Sequence, residues 1–297
     1  MIEKIAEKVF KISKAQQTEI MFYHNVEALT RFGQNQITQH VESDNQSMTI
    51  RMLDNKRTAS ISVSNFSDSV IEKAVELAVK MVHNKDAEIL MKGKVGTSTL
   101  LKSVLNKEWG LRTGRLLSHF ALFEVETYHK LLAVTDVAMN ISPKLQEKIA
   151  IINNSVDCFH KLGITMPKVA VLGAVEMVNE NMEATLDAAL LSKMNQREQI
   201  KGCIIDGPLA FDNAVSIDSA KHKGIKSDVA GDTDLLLMPD LEVGNVLYKS
   251  LVFFANAKVA SVILGAAAPI VLTSRSDSEQ AKHDSILLAS AASKNYS

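Results

Sequence analysis

The sequence has few of the features that mark several large classes of protein. Its 297 residues include only two cysteines, Cys158 and Cys203, which lie far apart in apolar segments. This predicts two free, buried thiols in a reducing compartment, and neither a disulfide framework nor a redox pair. No apolar run reaches eighteen residues, and the N-terminal stretch MIEKIAEKVFK mixes charges into its pattern. We therefore expect a cytoplasmic protein with no membrane partner.

Charge and motif content exclude further classes. With 33 Lys and Arg against 34 Asp and Glu, the chain has no basic excess to hold nucleic acid. HExxH, Walker A, GxGxxG and GxSxG motifs are all missing from the sequence, so we expect no zinc site, P-loop or dinucleotide fingerprint. Three histidines near polar turns or helix starts are predicted to have surface or capping roles: His119, His222 and His283.

What the sequence does contain is an α/β pattern, clearest in its last third. Short apolar runs at residues 202–205, 235–238 and 269–273 each stop at polar residues and lead toward a helical pattern. Alternation of strands and helices predicts a mostly parallel sheet, or a pair of such sheets. Ligands bind such sheets beyond the carboxyl ends of the strands. The residues expected there are Asp206, Asp240, Ser274 and Arg275.

The segment TSRSDS at residues 273–278 is the first candidate anion site. A strand candidate is followed at once by Ser274 and Arg275, and then by a helical pattern. Free backbone N–H groups at a helix start, serine hydroxyls and an arginine fork together suit a phosphate. The alternative is that Ser276 or Ser278 is only a helix cap and Arg275 a surface ion-pair partner.

Other candidates for substrate binding are less specific. Lys92 and the pair Thr97 and Ser98 surround a second glycine-containing helix start, which would suit an anion or be ordinary turn punctuation. Arg112 and Arg115 precede a strand and could hold phosphates or simply be solvated. Asp206 and Asp212 bracket a Gly-Pro turn, where each could be a base, a ligand orienter or a helix cap.

Several long motifs give the chain a family resemblance from about residue 72 to the C-terminus. They include ILMKGKVGTSTLLKSVLNKEWGLRTGRLLSH, LLAVTDVAMNISP, IKGCIIDGPLAFDNAVS, LLLMPDLEVGNVLYKSL and PIVLTSRSDS. This part resembles the phosphate acetyl/butyryltransferase family, specifically its butyryltransferase branch. The resemblance implies transfer of a short acyl group between coenzyme A and inorganic phosphate, in a cleft between two α/β domains of isocitrate/isopropylmalate-dehydrogenase-like architecture.

The resemblance also implies roles for particular residues. The Ser-Arg pair of the family falls on Ser274 and Arg275, which would hold the phosphate or acyl phosphate. Where the acetyl branch has Gly and a later Asp, this chain has Ser276 and Ala281, so the general base stays open. Its candidates are Asp277, Glu279 and Asp206. Asn213 and Asn245, in the matched motifs, join the predicted substrate-binding residues.

The same resemblance sets the expected cofactors and partners. Coenzyme A or acyl-CoA enters as a substrate, no cofactor is tightly bound and no metal is required. Inorganic phosphate is the other partner, and we expect a homodimer or a higher homo-oligomer.

The first seventy residues have a different character. Residues 1–15 carry a helical apolar stripe, and residues 18–66 read as a β-meander. This segment resembles the N-terminal module of TldD/PmbA-type metallopeptidases, without that family's metal-binding histidines. The predicted organisation is residues 1–70 as this segment, 71–113 with 262–297 as an incomplete first transferase domain, and 114–261 as the second.

Two alternative functions remain open at this point. The replaced N-terminus favours, as an alternative, a catalytically inactive hybrid that serves as a structural or binding protein. An oxidoreductase on the same architecture is a third possibility, although the sequence lacks a dinucleotide or metal-carboxylate motif.

Overall fold

A computed structural model describes residues 17–33, 36–54, 57–63, 68–92, 96–273 and 277–293. The chain forms two compact units, residues 1–76 and 77–297, each described here by itself. The helix expected at residues 1–15 lies outside the described residues. In the first unit, three antiparallel strands pair in the order β1-β2-β3: β1 (Gln17–Gly33), β2 (Gln36–Asp54) and β3 (Arg57–Val63).

The second unit is built on one eight-stranded sheet. Its order is β4-β11-β10-β5-β6-β9-β7-β8. The strands are β4 (Leu90–Met91), β5 (Ser118–Glu124), β6 (Leu132–Thr135), β7 (Lys168–Leu172), β8 (Ile204–Leu209), β9 (Leu235–Leu237), β10 (Lys258–Leu264) and β11 (Ile270–Val271).

Helices connect and cover these strands. Helix α1 (Asp68–His83) runs across the boundary between the two units. The second unit continues with α2 (Thr97–Val104), α3 (Leu145–Lys161), α4 (Glu183–Gln196), α5 (Phe211–Val215), α6 (Ile217–His222), α7 (Leu241–Phe253) and α8 (Glu279–Ser293). The aromatic ring of Phe120 on β5 meets that of Phe159 on α3 edge-on, with 5.3 Å between centroids, so α3 covers one face of the sheet.

The sheet is mixed, which corrects the expectation of a mostly parallel one. Strands β6, β9, β7 and β8 are parallel to one another, and β4 is parallel to β11, but β5 and β10 are antiparallel to both neighbours. The reason is the length of the connections. Only residues 125–131 join β5 to β6 and residues 265–269 join β10 to β11, whereas a parallel crossover needs a dozen residues or more.

Strand β8 also runs further than predicted. The sequence suggested a strand that stops before Asp206, but β8 extends to Leu209, and Asp206 pairs with Ala170 inside it. The strand contains a proline, which cannot donate a hydrogen bond to a strand ladder. Pro208 is tolerated because β8 is the outermost strand of the sheet.

Candidate functional site

The strongest candidates from the sequence are the residues between β11 and α8. Ser274, Arg275 and Ser276 fall outside the described residues, but the structure fixes both of their flanks. Before them, β11 leads to the buried Thr273. After them, Asp277 precedes α8.

The start of α8 is held by local hydrogen bonds. Ser278 Oγ accepts a hydrogen bond from the backbone N–H of Ala281 at 3.0 Å, the geometry of a helix N-cap. Lys282 Nζ donates to the backbone oxygen of Asp277 at 2.8 Å. Ser278 therefore has the capping role that the sequence left open for it, and the segment that leads out of residues 274–276 is fixed in place.

Two serines attach α8 to the sheet. The Ser261 backbone N–H on β10 donates to Ser285 Oγ at 2.9 Å, and that hydroxyl donates to the Ala281 carbonyl at 2.7 Å. Both serines are buried. The buried hydrogen bonds fix the position of α8 along β10.

The second predicted anion site lies at the same sheet edge as the first. Strands β4 and β11 are parallel neighbours, and Leu90 pairs with Ile270. Their carboxyl ends therefore lead out on one edge, where Lys92 donates its backbone N–H to Val271 O at 2.9 Å. Thr97 and Ser98 begin α2 with exposed side chains. The structure thus places Lys92 beside the end of β11.

Arg112 and Arg115 differ in their surroundings. Arg115 Nη2 lies 2.7 Å from Asp157 Oδ2, with side chains 45% and 52% exposed, so it forms a surface ion pair. Arg112 is also exposed. Its neighbour Thr113 donates from Oγ1 to the Gly265 carbonyl at 2.5 Å, which ties this segment to the connection between β10 and β11.

A further group of predicted residues lies far from this edge. Asp206 is on β8, six inter-strand steps from β11, or about 29 Å at about 4.8 Å per step. Its Oδ1 accepts the neighbouring Gly207 N–H at 2.8 Å. Asp212 and Asn213 belong to α5, directly after β8, where Asn213 is fully buried. The structure does not bring these three residues together with Asp277.

The direction of the strands also separates the residues that follow β11 from those that follow β8. Strand β11 is antiparallel to β10, β10 to β5 and β5 to β6, whereas β6 is parallel to β9. The carboxyl end of β11 therefore points to the sheet edge opposite the carboxyl ends of β6, β9, β7 and β8. Asp240, which follows β9, lies at that other edge and caps α7 by accepting the Val243 N–H at 2.9 Å.

Asp136 organises the loop that follows β6, a role the sequence did not reveal. This buried carboxylate accepts hydrogen bonds from the backbone N–H groups of His119, Ala138 and Met139 at 3.2, 2.9 and 2.9 Å. Asn140 Nδ2 donates to Oδ2, the oxygen that also accepts the His119 N–H, at 2.6 Å. The motif TDVAMN is thus a turn held by one aspartate.

Helix α7 docks directly onto this turn. Asn245 Nδ2 donates to the Val137 carbonyl at 3.3 Å, so this predicted substrate residue has a structural contact. Gly244, one residue earlier, lies against the backbone oxygen of Asp136, where no side chain would fit. The motif PDLEVGN therefore joins the end of β9 to the end of β6.

Tyr248 lies one turn further along α7, and sequence reasoning missed it. Its ring meets Phe123 edge-on at a centroid distance of 5.4 Å and His119 at 6.2 Å, both on β5. Burial and the charge of Asp277 raise the pKa of Tyr248, while the nearby Ser261 hydroxyl opposes the shift. A signal was available, since Gly244 and Tyr248 are four residues apart and share a helix face.

His119 is buried, which corrects the expected surface or capping role. It is 4% exposed, and burial lowers its pKa to about 4 although the charge of Asp136 acts to raise it. Its Nδ1 is buried and has no hydrogen-bond partner among the described residues. The imidazole is therefore neutral at pH 7. The other two histidines named above, His222 and His283, are partly or fully exposed.

A charged network at the amino ends of β6, β7 and β9 has a structural role. Lys130 and Lys168 lie 2.9 and 2.6 Å from the Asp232 carboxylate, and His129 lies 2.8 Å from it. Partial burial acts to raise the pKa of Asp232, but these hydrogen bonds hold it well below its usual range. The network ties three strand starts together.

The remaining sequence expectations concern thiols, metals and membranes. Cys158 and Cys203 are buried and free, and burial raises their pKa values to about 12 and about 11, so both are unreactive thiols. Within the described ranges, no group of three or more potential ligands is placed to hold a metal ion. No described helix has the length and apolar character needed to cross a bilayer.

Comparisons with known proteins give a consistent result. The sequence model of the family described as phosphate acetyl/butaryl transferase matches residues 4–290. The chain is 56% identical over 225 residues to a probable phosphate butyryltransferase of Bacillus subtilis and 52% identical over 225 residues to a phosphate butyryltransferase of Clostridium acetobutylicum. In both cases the match covers 76% of this chain and 75% of the relative.

A solved structure agrees with these relatives. A branched-chain phosphotransacylase from Enterococcus faecalis superposes with a TM-score of 0.72 at 38% identity. The superposition covers 77% of this chain and 81% of that one. The mixed sheet of the second unit is thus an arrangement already seen in a phosphotransacylase.

Proposed function

The chain belongs to the phosphate acetyl/butaryl transferase family, and from that premise we propose that it transfers a short acyl group between coenzyme A and inorganic phosphate. The observation that carries this proposal is the identity of 56% and 52% to two phosphate butyryltransferases over 225 residues. That level of identity favours an active transferase over the inactive hybrid. The acyl group is butyryl or a similar short chain.

The proposed reaction centre is the sheet edge where β4 and β11 end. Ser274 and Arg275 follow β11 in the sequence, and Lys92, Thr97 and Ser98 follow its parallel neighbour β4. Backbone N–H groups at helix starts, hydroxyls and cationic side chains suit a phosphate. In this proposal Arg275 balances the phosphate charge and Ser274 donates a hydrogen bond to the reacting group.

The acyl transfer itself needs one base. The coenzyme A thiol gives its proton to a carboxylate, and the thiolate sulfur then forms a bond to the carbonyl carbon of the acyl phosphate. The bond from that carbon to the phosphate oxygen breaks, and inorganic phosphate leaves with the electron pair. The reverse sequence forms acyl phosphate from acyl-CoA.

We propose Asp277 as this base. It directly follows the serine- and arginine-bearing segment, and its backbone is fixed by Lys282. Glu279, an exposed residue in the first turn of α8, is the nearby alternative. Asp206 would have to act across about six strand spacings, so we give it no part in the reaction.

Other residues complete the proposal for substrate binding. Arg112 is exposed beside the connection between β10 and β11 and is proposed to contact a phosphate group of coenzyme A. Arg115, Asp212, Asn213 and Asn245 keep their sequence-based assignment to substrate binding, and Arg115 and Asn245 must exchange or share their present contacts to do so.

The wider expectations are also part of the proposal. Coenzyme A acts as a substrate and no cofactor is tightly bound. The protein is a cytoplasmic homodimer or higher homo-oligomer, consistent with its two free thiols. We further propose that residues 71–113 with 262–297 and residues 114–261 form the two domains of an isocitrate-dehydrogenase-like architecture. In this proposal residues 1–70 are a TldD/PmbA-like addition.

A phosphate-dependent assay tests the function. Release of coenzyme A from butyryl-CoA should require added phosphate, and Arg275→Ala should lower kcat/KM at least tenfold, a loss of about 1.4 kcal/mol or more in transition-state stabilisation. Arg197→Ala, at an exposed arginine that ends α4, is the matched control and should leave the rate unchanged. A folded protein without turnover would support the inactive hybrid, and an unaffected Arg275→Ala variant would refute the proposed anion site.

A further inference from the structure

Helix α4 has apolar residues on two opposite faces. Its inner face packs on β8, where Ser192 Oγ lies 3.2 Å from the Gly207 carbonyl oxygen and Ala188 is fully buried. Its outer face carries Leu186 and Leu190, which are four residues apart and exposed, Leu190 to 49%. A helix that only covers a sheet is expected to be polar on its outer face. The outer face of α4 is therefore typical of a surface that packs against a further partner.

The loop that precedes α4 extends this apolar surface. Thr185 Oγ1 accepts the Asn179 N–H at 2.9 Å and lies 3.0 Å from the Asn179 backbone oxygen, so the loop is fixed against the first turn of the helix. In this loop Met177 is 72% exposed, and Val178 is exposed as well. The apolar outer face of α4 and the apolar residues of the loop are thus neighbours.

The start of α5 borders the same loop. The Gly173 N–H donates to the Leu209 carbonyl at 3.0 Å, so Phe211, two residues after Leu209, lies close to the beginning of the loop. We define the α4 surface as six exposed residues: Val175, Met177, Val178, Leu186, Leu190 and Phe211. At roughly half exposure each, they present on the order of 500 Å² of apolar area, which is the upper range for a patch on a monomer. A stable dimer buries about 800 Å² on each chain, so the α4 surface with a polar rim is large enough for one.

The outer face of α4 is complementary to a second copy of itself that runs in the opposite direction. Glu183 begins this face, Leu186 and Leu190 form its centre, and Lys193 ends it, at spacings of three or four residues. A two-fold axis beside Ala188 places Leu186 opposite Leu190 of the second copy and Glu183 opposite its Lys193, because residue 188 is the midpoint of both pairs. Apolar residues then meet at the centre, and opposite charges meet at both ends.

Neither the present contact of Glu183 nor the edge of the sheet competes with this pairing. Glu183 Oε1 lies 3.4 Å from Lys144 Nζ, and both side chains are exposed, so this ion pair stabilises the chain very little. Strand β8 is the outermost strand of the sheet, but Pro208 within it has no N–H to offer to another strand. Association is therefore expected through α4 and not through extension of the sheet.

We propose that the α4 surface is the interface between two copies of this chain, which pair through antiparallel α4 helices around a two-fold axis. This inference rests on the homo-oligomer of the proposed function and assigns its interface. It does not depend on which residues carry out the reaction. Each contact of such an interface occurs twice, so Glu183 and Lys193 form two ion pairs across the dimer.

Analytical ultracentrifugation of the full-length protein tests the apolar contact. We expect the parent protein to sediment as a dimer at micromolar concentrations. Leu190→Asp places a charge at the centre of the interface and should raise the dimer dissociation constant at least about a hundredfold. Val246→Asp, at an exposed position of α7, is the matched control and should leave this constant unchanged. Circular dichroism should show the same helix content in all three proteins.

Charge reversal tests the antiparallel register. Glu183→Lys alone and Lys193→Glu alone each replace two attractions by two repulsions, so each should raise the dissociation constant about tenfold at low salt. An equimolar mixture of these two variants has opposite charges at both contacts again, and it should associate within about threefold of the parent protein. Lys249→Glu, a charge reversal at an exposed position of α7, should have no effect.

The possible outcomes separate this interface from the proposed reaction. A monomeric parent protein, or a Leu190→Asp variant that dimerises like the parent, would overturn the proposal. The proposal is also wrong if the mixture of the two charge variants associates as weakly as each variant alone. Phosphate-dependent release of coenzyme A is a separate measurement. A monomeric parent protein with turnover would lose the interface and keep the reaction, whereas a dimer without turnover would keep the interface and lose the reaction.

Discussion

Burial decides the chemistry of the individual side chains around β5 and β6. Asp136 is as buried as the apolar core, yet it stays favourable there because four donors converge on its two oxygens. His119 is equally buried, but its ring nitrogen Nδ1 finds no partner among the described residues. The Asp136 carboxylate therefore organises a loop, whereas the His119 imidazole must remain uncharged to be buried.

This difference predicts a pH dependence of stability. The pKa of His119 is lowered to about 4 in the folded protein, whereas it is 6.5 in an unfolded chain. Between these values the unfolded state binds a proton that the folded state does not, so stability is full above about pH 6.5 and falls as pH drops toward 4. From pH 7 to pH 5 the loss due to His119 should be about 2 kcal/mol.

Urea unfolding at several pH values measures this contribution. The glutamine of His119→Gln cannot titrate in this range. From pH 7 to pH 5 the unfolding free energy of the parent protein should therefore fall by about 2 kcal/mol more than that of the variant. Carboxylates elsewhere titrate equally in both proteins and cancel. If the unfolding free energies of the two proteins changed with pH in the same way, His119 would not be neutral in the folded protein.

At the scale of elements, helix α7 is the part that joins the two motifs TDVAMN and PDLEVGN. Its first turn is capped by Asp240, and the next residues lie against the loop after β6. Close approach of a helix to a backbone oxygen needs a residue without a Cβ atom at the contact. Gly244 has that position.

Gly244→Ala should therefore destabilise the protein by about 2 kcal/mol. The added methyl group would overlap the backbone oxygen of Asp136 and lie 3.1 Å from Met238 Cγ, and neither the carbonyl nor the buried core can retreat easily. This loss exceeds the gain of about 1 kcal/mol that alanine brings to a helix interior.

Chemical unfolding provides the measurement for this substitution. Val243→Ala, one residue earlier and 45% exposed, should change the unfolding free energy by less than about 0.5 kcal/mol. A Gly244→Ala protein as stable as the parent would mean that α7 can shift away from the loop, and the rigid docking described above would then be wrong.

Over the whole molecule, local patterns predicted most of the elements but not their arrangement. The sequence predicts helices over residues 143–162 and 182–196, and α3 and α4 begin and end within about two residues of these segments. Apolar periodicity and flanking polar residues are local signals, which is why these helices could be predicted. The direction of a strand relative to its neighbours in the sheet is not set by local sequence signals. It follows from connection length, and the short links after β5 and β10 produced antiparallel neighbours in a chain that otherwise alternates strand and helix.

The candidate site could be predicted only in part for the same reason, because the order of the strands in the sheet is not a local property of the sequence. Lys92 and the β11 segment were brought together because their strands are neighbours, which no spacing in the sequence revealed. Asp206 and Asp277 both follow short apolar runs and look alike in the sequence, yet β8 and β11 are six strand positions apart. Tyr248 was missed, and the burial of His119 was not predicted, because the contact between the two rings depends on how α7 lies over β5.

The separation of Asp206 from Asp277 yields a last prediction, which concerns the whole sheet. A carboxylate about 29 Å from the proposed reaction centre cannot accept a proton there, since direct transfer needs a heavy-atom distance of about 3 Å. Asp206→Asn should therefore leave kcat and the KM for phosphate within about twofold, while Asp277→Asn lowers kcat by tenfold or more. Asparagine keeps the Oδ1 that accepts the Gly207 N–H, so β8 should stay intact. Phosphate-dependent release of coenzyme A from butyryl-CoA measures both variants, and a strong loss in Asp206→Asn with little change in Asp277→Asn would move the reaction centre to the opposite edge of the sheet, beyond β7 and β8.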